Sequence, residues 1–173
     1  MRSGFTPAMA KGGTDSGRVA RPLMSRRLGL IVHILLSVGL LGAIASFFVL
    51  VLVGMNGPAT RGAFAAAERI STLVILPIAL AGWAMGVFQA LTTRWGLTRH
   101  YWVLIKLLLT SFAVLVLLAK QHMIHALAAS EGGPDRGLAA AQLLLHAAGG
   151  FAVLATALVL SVLKPEGKTG LDF

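Results

Sequence analysis

From Leu28 to Val53 the chain carries no charged side chain, and an apolar run of that length is comfortable in one solvent only. A helix rises about 1.5 Å per residue, so this stretch crosses the roughly 30 Å hydrocarbon core of a bilayer with some tilt. In hydrocarbon every backbone polar group must bond within the structure, and for a single uniformly apolar run that means a helix. Three later runs follow the same rule: Ile70 to Thr92, Tyr101 to Ala119 with Lys106 as its one charge, and Leu138 to Leu163. A cleaved signal peptide is the rival reading of the first run, but its apolar part is normally about 7 to 15 residues.

The breaks between runs are equally legible. Asn56-Gly57-Pro58 and Gly132-Gly133-Pro134 interrupt helices, and Arg94 to His100 is a polar turn. Pro77 lacks the donor a helix interior needs and is expected to kink the second span. Short connections favour antiparallel neighbours. The fold class expected is therefore all-α: a polytopic membrane protein with an antiparallel bundle of four transmembrane helices, spanning about 28–53, 70–92, 101–119 and 138–163. Residues 1–27 are Gly-, Ser- and Arg-rich without apolar periodicity and read as a disordered tail. Residues 164–173 read as a second short tail.

With 57% apolar and 12% charged residues the chain is far from soluble composition. Its net charge of +9 does not point to nucleic acid, because the basic residues flank the apolar runs. Arg and Lys crowd the first 27 residues, the Arg94 to Arg99 turn, and Lys164 with Lys168, outweighing Arg61, Arg69, Lys120 and Arg136. The positive-inside rule then places both termini in the cytoplasm of a bacterial inner-membrane protein. Trp95, Tyr101 and Trp102 among those bases form a belt suited to anionic lipid headgroups, or simply a topology anchor. Lys106 is expected to reach back to that layer along its stem.

Small residues mark where helices approach: Gly82-x-x-x-Gly86, Gly39-x-x-x-Ala43, Gly42-x-x-x-Ser46 and Gly149-Gly150. The absence of cysteine excludes disulfides, thiolate metal sites and covalently attached haem. No Asp or Glu lies inside an apolar run, which argues against ion-coupled transport. The hydroxyls of Ser37, Ser46, Ser71, Thr110, Ser111, Thr156 and Ser161 sit in no catalytic motif, and such groups usually bond back to their own helix. No catalytic residue is assigned, and the chain reads as a non-enzyme.

The histidines carry the remaining chemistry. Counting helical rise puts His33 about 8 Å inside one face and His100 at it, whereas His146 lies about 25 Å up and His122 about 31 Å from Tyr101. His33 and His146 thus differ by roughly 17 Å in depth, too far to share one iron. The pairs expected are His33 with His100, and His146 with His122 or His125. Two facing imidazoles suit a haem b, and Gly149 and Gly150 on the face of His146 would admit a flat ring. His122 and His125, one turn apart, are alternatively a start on a divalent metal site. The plainer reading is that each ring bonds a neighbouring hydroxyl or carbonyl.

Three segments resemble a bacterial family of uncharacterised four-helix integral membrane proteins, a domain of unknown function. They are the His33 stretch through Ser37-Val38-Gly39-Leu40-Leu41-Gly42, where relatives favour Trp at the position of Leu40; the run from Arg94-Trp95-Gly96-Leu97-Thr98-Arg99-His100-Tyr101-Trp102 to Thr110; and His146, Gly149 and Gly150 with the closing Leu160-Ser161-Val162-Leu163-Lys164-Pro165. The resemblance spans roughly residues 28–170 and implies the topology but no activity. Two functions are expected on these grounds: binding of haem b or another redox group through histidine pairs, or a non-enzymatic scaffold or accessory subunit packed against a larger membrane partner or a second copy. Permeation of a small solute ranks last, since the spans offer few polar groups to line a path.

Overall fold

The computed structural model describes residues 16–56, 60–92, 100–130 and 135–163, with side chains described from Arg27 onward except at Thr60. The aromatic belt residue Trp95, the Arg94 to Arg99 cluster, the two Gly-Pro breaks and the expected tails at residues 1–15 and 164–173 lie outside those residues.

Helix α1 runs Ser16–Asn56. Residues 16–27, read from sequence as unstructured, continue this helix: propagation from a nucleated span adds a hydrogen bond at each residue but Pro22, and Ala, Arg, Leu and Met favour it. The second span is one rod built from α2 (Thr60–Ile70), a π-helical turn (Ser71–Ile75) and α3 (Leu76–Thr92). Helix α4 covers Tyr101–Ala129 and α5 covers Arg136–Leu163. The protein is thus all-helical, with four helices long and apolar enough to cross a membrane.

Helix α4 overruns its expected end at Ala119 by ten residues, to Ala129. Lys120, Gln121 and His122 look like a stop, yet all three are compatible with helix, and Met123, Ile124 and Leu127 resume the apolar pattern, with Ile124 and Leu127 buried. The second span likewise starts earlier, at Thr60. Pro77 acts through the π-turn just before it: the N–H of Leu76 bonds to the Ser71 carbonyl, one residue wider than an α-helical turn, where the proline ring would crowd a regular one.

The rods form a four-sided ring. Helix α1 touches α2, α3 and α5; α4 touches α2, α3 and α5; among the described residues the backbones of neither diagonal pair come together, and Arg136 of α5 reaches Phe64 of α2 only by its side chain. The sides close on small residues. Ala67, Ala79, Ala140 and Ala157 are buried, letting backbones approach. Gly82 and Gly86 form the expected seam: a Cβ at Gly82 would lie 3.8 Å from Leu36 Cβ, and one at Gly86 would lie 3.4 Å from His33 Cε1. Leu40, Phe47, Val51, Phe64, Ile75, Ile124 and Leu143 fill the core, and large side chains such as Leu73, Leu91, Leu108, Leu115, Leu138 and Leu163 face outward, where a bilayer would cover them.

Polar bonds tie the rods at several levels. Gln89 Nε2 donates to the Gly29 carbonyl at 2.7 Å, and Trp83 Nε1 donates to Ser111 Oγ at 2.8 Å. Gln121 Nε2 donates to Ser71 Oγ at 3.1 Å while its Oε1 accepts from Thr72 Oγ1 at 3.5 Å. Ser71 is fully buried and sits on the π-turn, so Gln121 pins α4 to the irregular part of the second span. Interhelical hydrogen bonds in membranes average about 0.6 kcal/mol and reach about 1.7 kcal/mol. Gln121→Leu is expected to destabilise the detergent-solubilised protein within that interval in a thermal melt. An unchanged midpoint would show that the bond contributes nothing.

Candidate functional site: a cavity inside the ring

Between the four rods, whose diagonal backbones stay apart, lies a cavity of about 1260 Å³ that is lined from all four and opens outward between helices. Most of its wall is aliphatic. Besides hydroxyls and Gln89, its titratable groups are basic: His33, Lys106, Lys120 and His146 line it, and no Asp or Glu does.

At one end, Lys106 is turned inward. Its Nζ donates to Ser161 Oγ of α5 at 2.6 Å and lies 5.6 Å from the centroid of the Trp102 ring. The sequence reading sent this side chain to the headgroups, but the structure keeps it in the wall. The Ser161 hydroxyl gives its own proton to the Ala157 carbonyl at 2.7 Å, leaving lone pairs for the ammonium, and the indole face supplies a second attraction. These contacts stand in for water around the charge.

His33 lies over the glycine seam, against Gly86. Its Nδ1 is buried and has no hydrogen-bond partner, a cost for any polar atom out of water. Ser37 does not relieve it, since its hydroxyl donates to the His33 carbonyl at 2.8 Å rather than to the ring.

Deeper along α5, His146 Nδ1 lies 2.6 Å from the Gln142 carbonyl. A carbonyl only accepts, so Nδ1 carries the proton and Nε2 keeps its lone pair, the tautomer that ligates metals. A Cβ at Gly149 or Gly150 would meet nothing within 4 Å, and both residues line the cavity, so the space beside His146 is open.

The structure brings His33 and His146 to one cavity at different levels and leaves the other expected partners off its wall. His100 stands beside Trp102, ring centroids 6.4 Å apart and tilted 56°, but does not line the cavity. His122 is exposed on α4, and His125 pairs with Glu68 of α2 at 2.8 Å. Among the described residues no three His, Cys, Asp or Glu side chains gather into a metal-binding group. Comparisons with protein-family models, curated proteins and solved structures return no match for this chain. The site therefore rests on its own geometry.

The hydroxyls follow the sequence reading. Ser46, Thr110 and Thr156 donate to backbone carbonyls one turn back, at 2.9, 2.8 and 2.8 Å, which leaves them no proton for an imidazole base. Lys120 as a cavity residue and the Glu68 to His125 contact were missed from sequence. Lys120 was visible as a base beside an apolar run. Its inward placement depends on the rotation of α4, which no spacing rule reported.

Proposed function

We propose that this chain is a membrane-embedded binding module for a redox group, with haem b the form its imidazoles suit, held in the cavity between the four helices. The observation that carries this reading is one cavity, about 1260 Å³ in volume, lined by His33, His146, Lys106 and Lys120 with no carboxylate. Its apolar walls would suit a flat hydrophobic ring, and Lys120, near the depth of His146, would neutralise a carboxylate on that ring's edge, whereas Lys106 stands about 21 Å away along α4. His146 would hold the group through Nε2, with the Gln142 carbonyl fixing the tautomer from behind. Gly149 and Gly150 leave the face beside it free. Haem, when bound, supplies one-electron transfer. His122 is exposed and off the cavity wall, so His146 would be the imidazole holding the group at this level.

The setting proposed for this module is a bacterial cytoplasmic membrane, with antiparallel neighbouring helices and both termini inside, in a family of four-helix membrane proteins. The charge distribution between spans and the three resembling segments support it.

A second reading, an accessory subunit docking another membrane helix, is favoured by one feature. Gly39, Gly42 and Ser46 are exposed on α1, and nothing lies within 4 Å of a Cβ at either glycine. Small residues left open in this way let a partner helix, or a second copy, approach closely.

The test of the main reading is an absorption spectrum of the detergent-purified protein, oxidised and dithionite-reduced, with metal analysis on the same sample. A Soret band is expected, lost in His146→Ala and retained in His122→Ala. Colourless, metal-free protein from cells supplied with haem would overturn it.

A further inference from the structure

At the end of the ring opposite Lys106, and independent of the central cavity, Arg136 opens helix α5 with two nitrogens, Nε and Nη2, buried and without a hydrogen-bond partner. Those two N–H groups lie along one edge of the guanidinium. That edge is the fork that takes two oxygens of a single phosphate or carboxylate. The plane of the fork is fixed from the side: the guanidinium carbon lies 4.8 Å from the centroid of the Phe64 ring. Arg136 is partly exposed, but two of its N–H donors meet neither an acceptor nor water; that is costly, and an anion is a group that removes the cost.

The surroundings suit a small oxyanion. Arg136 lines a notch of about 150 Å³ with Gly54, Met55, Phe64, Gly137 and Ala140. The notch is open on one side and has room for several waters, enough for one phosphate-sized group. Met55 is an unbranched, exposed side chain that yields by a rotamer change as a ligand enters. The first backbone bond of the helix is Ala139 N–H to the Asp135 carbonyl at 2.9 Å, so the preceding amides of α5 are not satisfied by that turn and its positive pole adds to the field. Asp135, exposed beside it, is the opposing charge. One carboxylate in water is screened, whereas the fork is not.

We propose that the Arg136 fork is a phosphate-binding site at the end of the apolar spans. Its level in the molecule, where α5 enters the membrane-length stretch Arg136–Leu163, is that of lipid headgroups, and the same chemistry takes free phosphate. The full chain in a neutral, phosphate-free detergent is titrated with inorganic phosphate and, separately, with short-chain phosphatidylglycerol while its thermal midpoint is followed. The midpoint is expected to rise. In Arg136→Lys the apparent affinity should weaken by about tenfold or more, because lysine keeps the charge and loses the fork. A rise with the lipid alone assigns a headgroup, and one with inorganic phosphate assigns the free ion. If neither ligand raises the midpoint, or wild type and Arg136→Lys respond alike, the site does not exist. Should the variant fail to fold, phosphorus NMR of the same ligands on wild-type protein decides: a shifted or broadened resonance supports the site, and an unchanged one removes it.

Discussion

Valine in place of Gly54 is expected to lower the thermal midpoint of the solubilised protein by several degrees. A Cβ at this position would lie 2.8, 2.9 and 3.0 Å from three carbons of the Phe64 ring, closer than carbon atoms pack. Phe64 cannot easily withdraw, because it is nearly fully buried and Arg136 stacks on its other surroundings. Overpacking of this type costs about 1 to 3 kcal/mol, while replacing glycine inside a helix returns at most about 1 kcal/mol of propensity. The clash therefore wins. At roughly 2 to 4 °C per kcal/mol for a chain of this size, the loss is readable in a melt. Gly62→Ala is the matched control, since its Cβ meets nothing within 4 Å and should leave the midpoint level or raise it. Repeating Gly54→Val in a Phe64→Leu background should shrink the penalty, a coupling expected only if the ring is the obstacle. Equal penalties in both backgrounds would move the cause elsewhere.

This contact also shows where sequence reasoning stops. The four spans were legible because length and hydropathy are properties of each segment alone. Gly82 and Gly86 were legible as a seam because two small residues one turn apart make a flat stripe whatever they face. Gly54 has no small residue one turn before it in α1, where Leu50 and Val51 stand, and nothing about it signals that an aromatic ring from α2 closes over it. Depth counting placed His146 and His122 near one level, yet depth says nothing about rotation, and α4 turns His122 outward while α5 turns His146 to the cavity. The end of α4 was misplaced at Ala119 for a related reason. Lys120, Gln121 and His122 are costly in hydrocarbon taken singly, but Lys120 turns to the cavity and Gln121 finds Ser71 and Thr72. Their partners are on other segments, so their tolerance could not be read locally. Lys106 follows the same logic, held by Ser161 and Trp102 rather than by the headgroups.

Leucine at Gly150 should separate binding from folding. The ideal Cβ there meets no atom within 4 Å and Gly150 lines the cavity, so the added side chain starts in open space and extends into the proposed ligand site. Stability is expected to hold or to gain up to about 1 kcal/mol from helix propensity. Occupancy of the cavity should fall about tenfold or more, since a ligand forced to give up even 1.4 kcal/mol of contact loses that factor. Gly39→Leu gives the same propensity gain on the outer face of α1, away from the cavity lining. If the cavity is the working site, Gly150→Leu removes the bound chromophore and Gly39→Leu leaves it. If α1 is instead a docking face, the pattern inverts: Gly39→Leu breaks co-purification with the partner or a second copy, and Gly150→Leu is silent. A variant pair that changes neither property would exclude both readings together, because it would leave the cavity and the open glycine stripe without a role in binding.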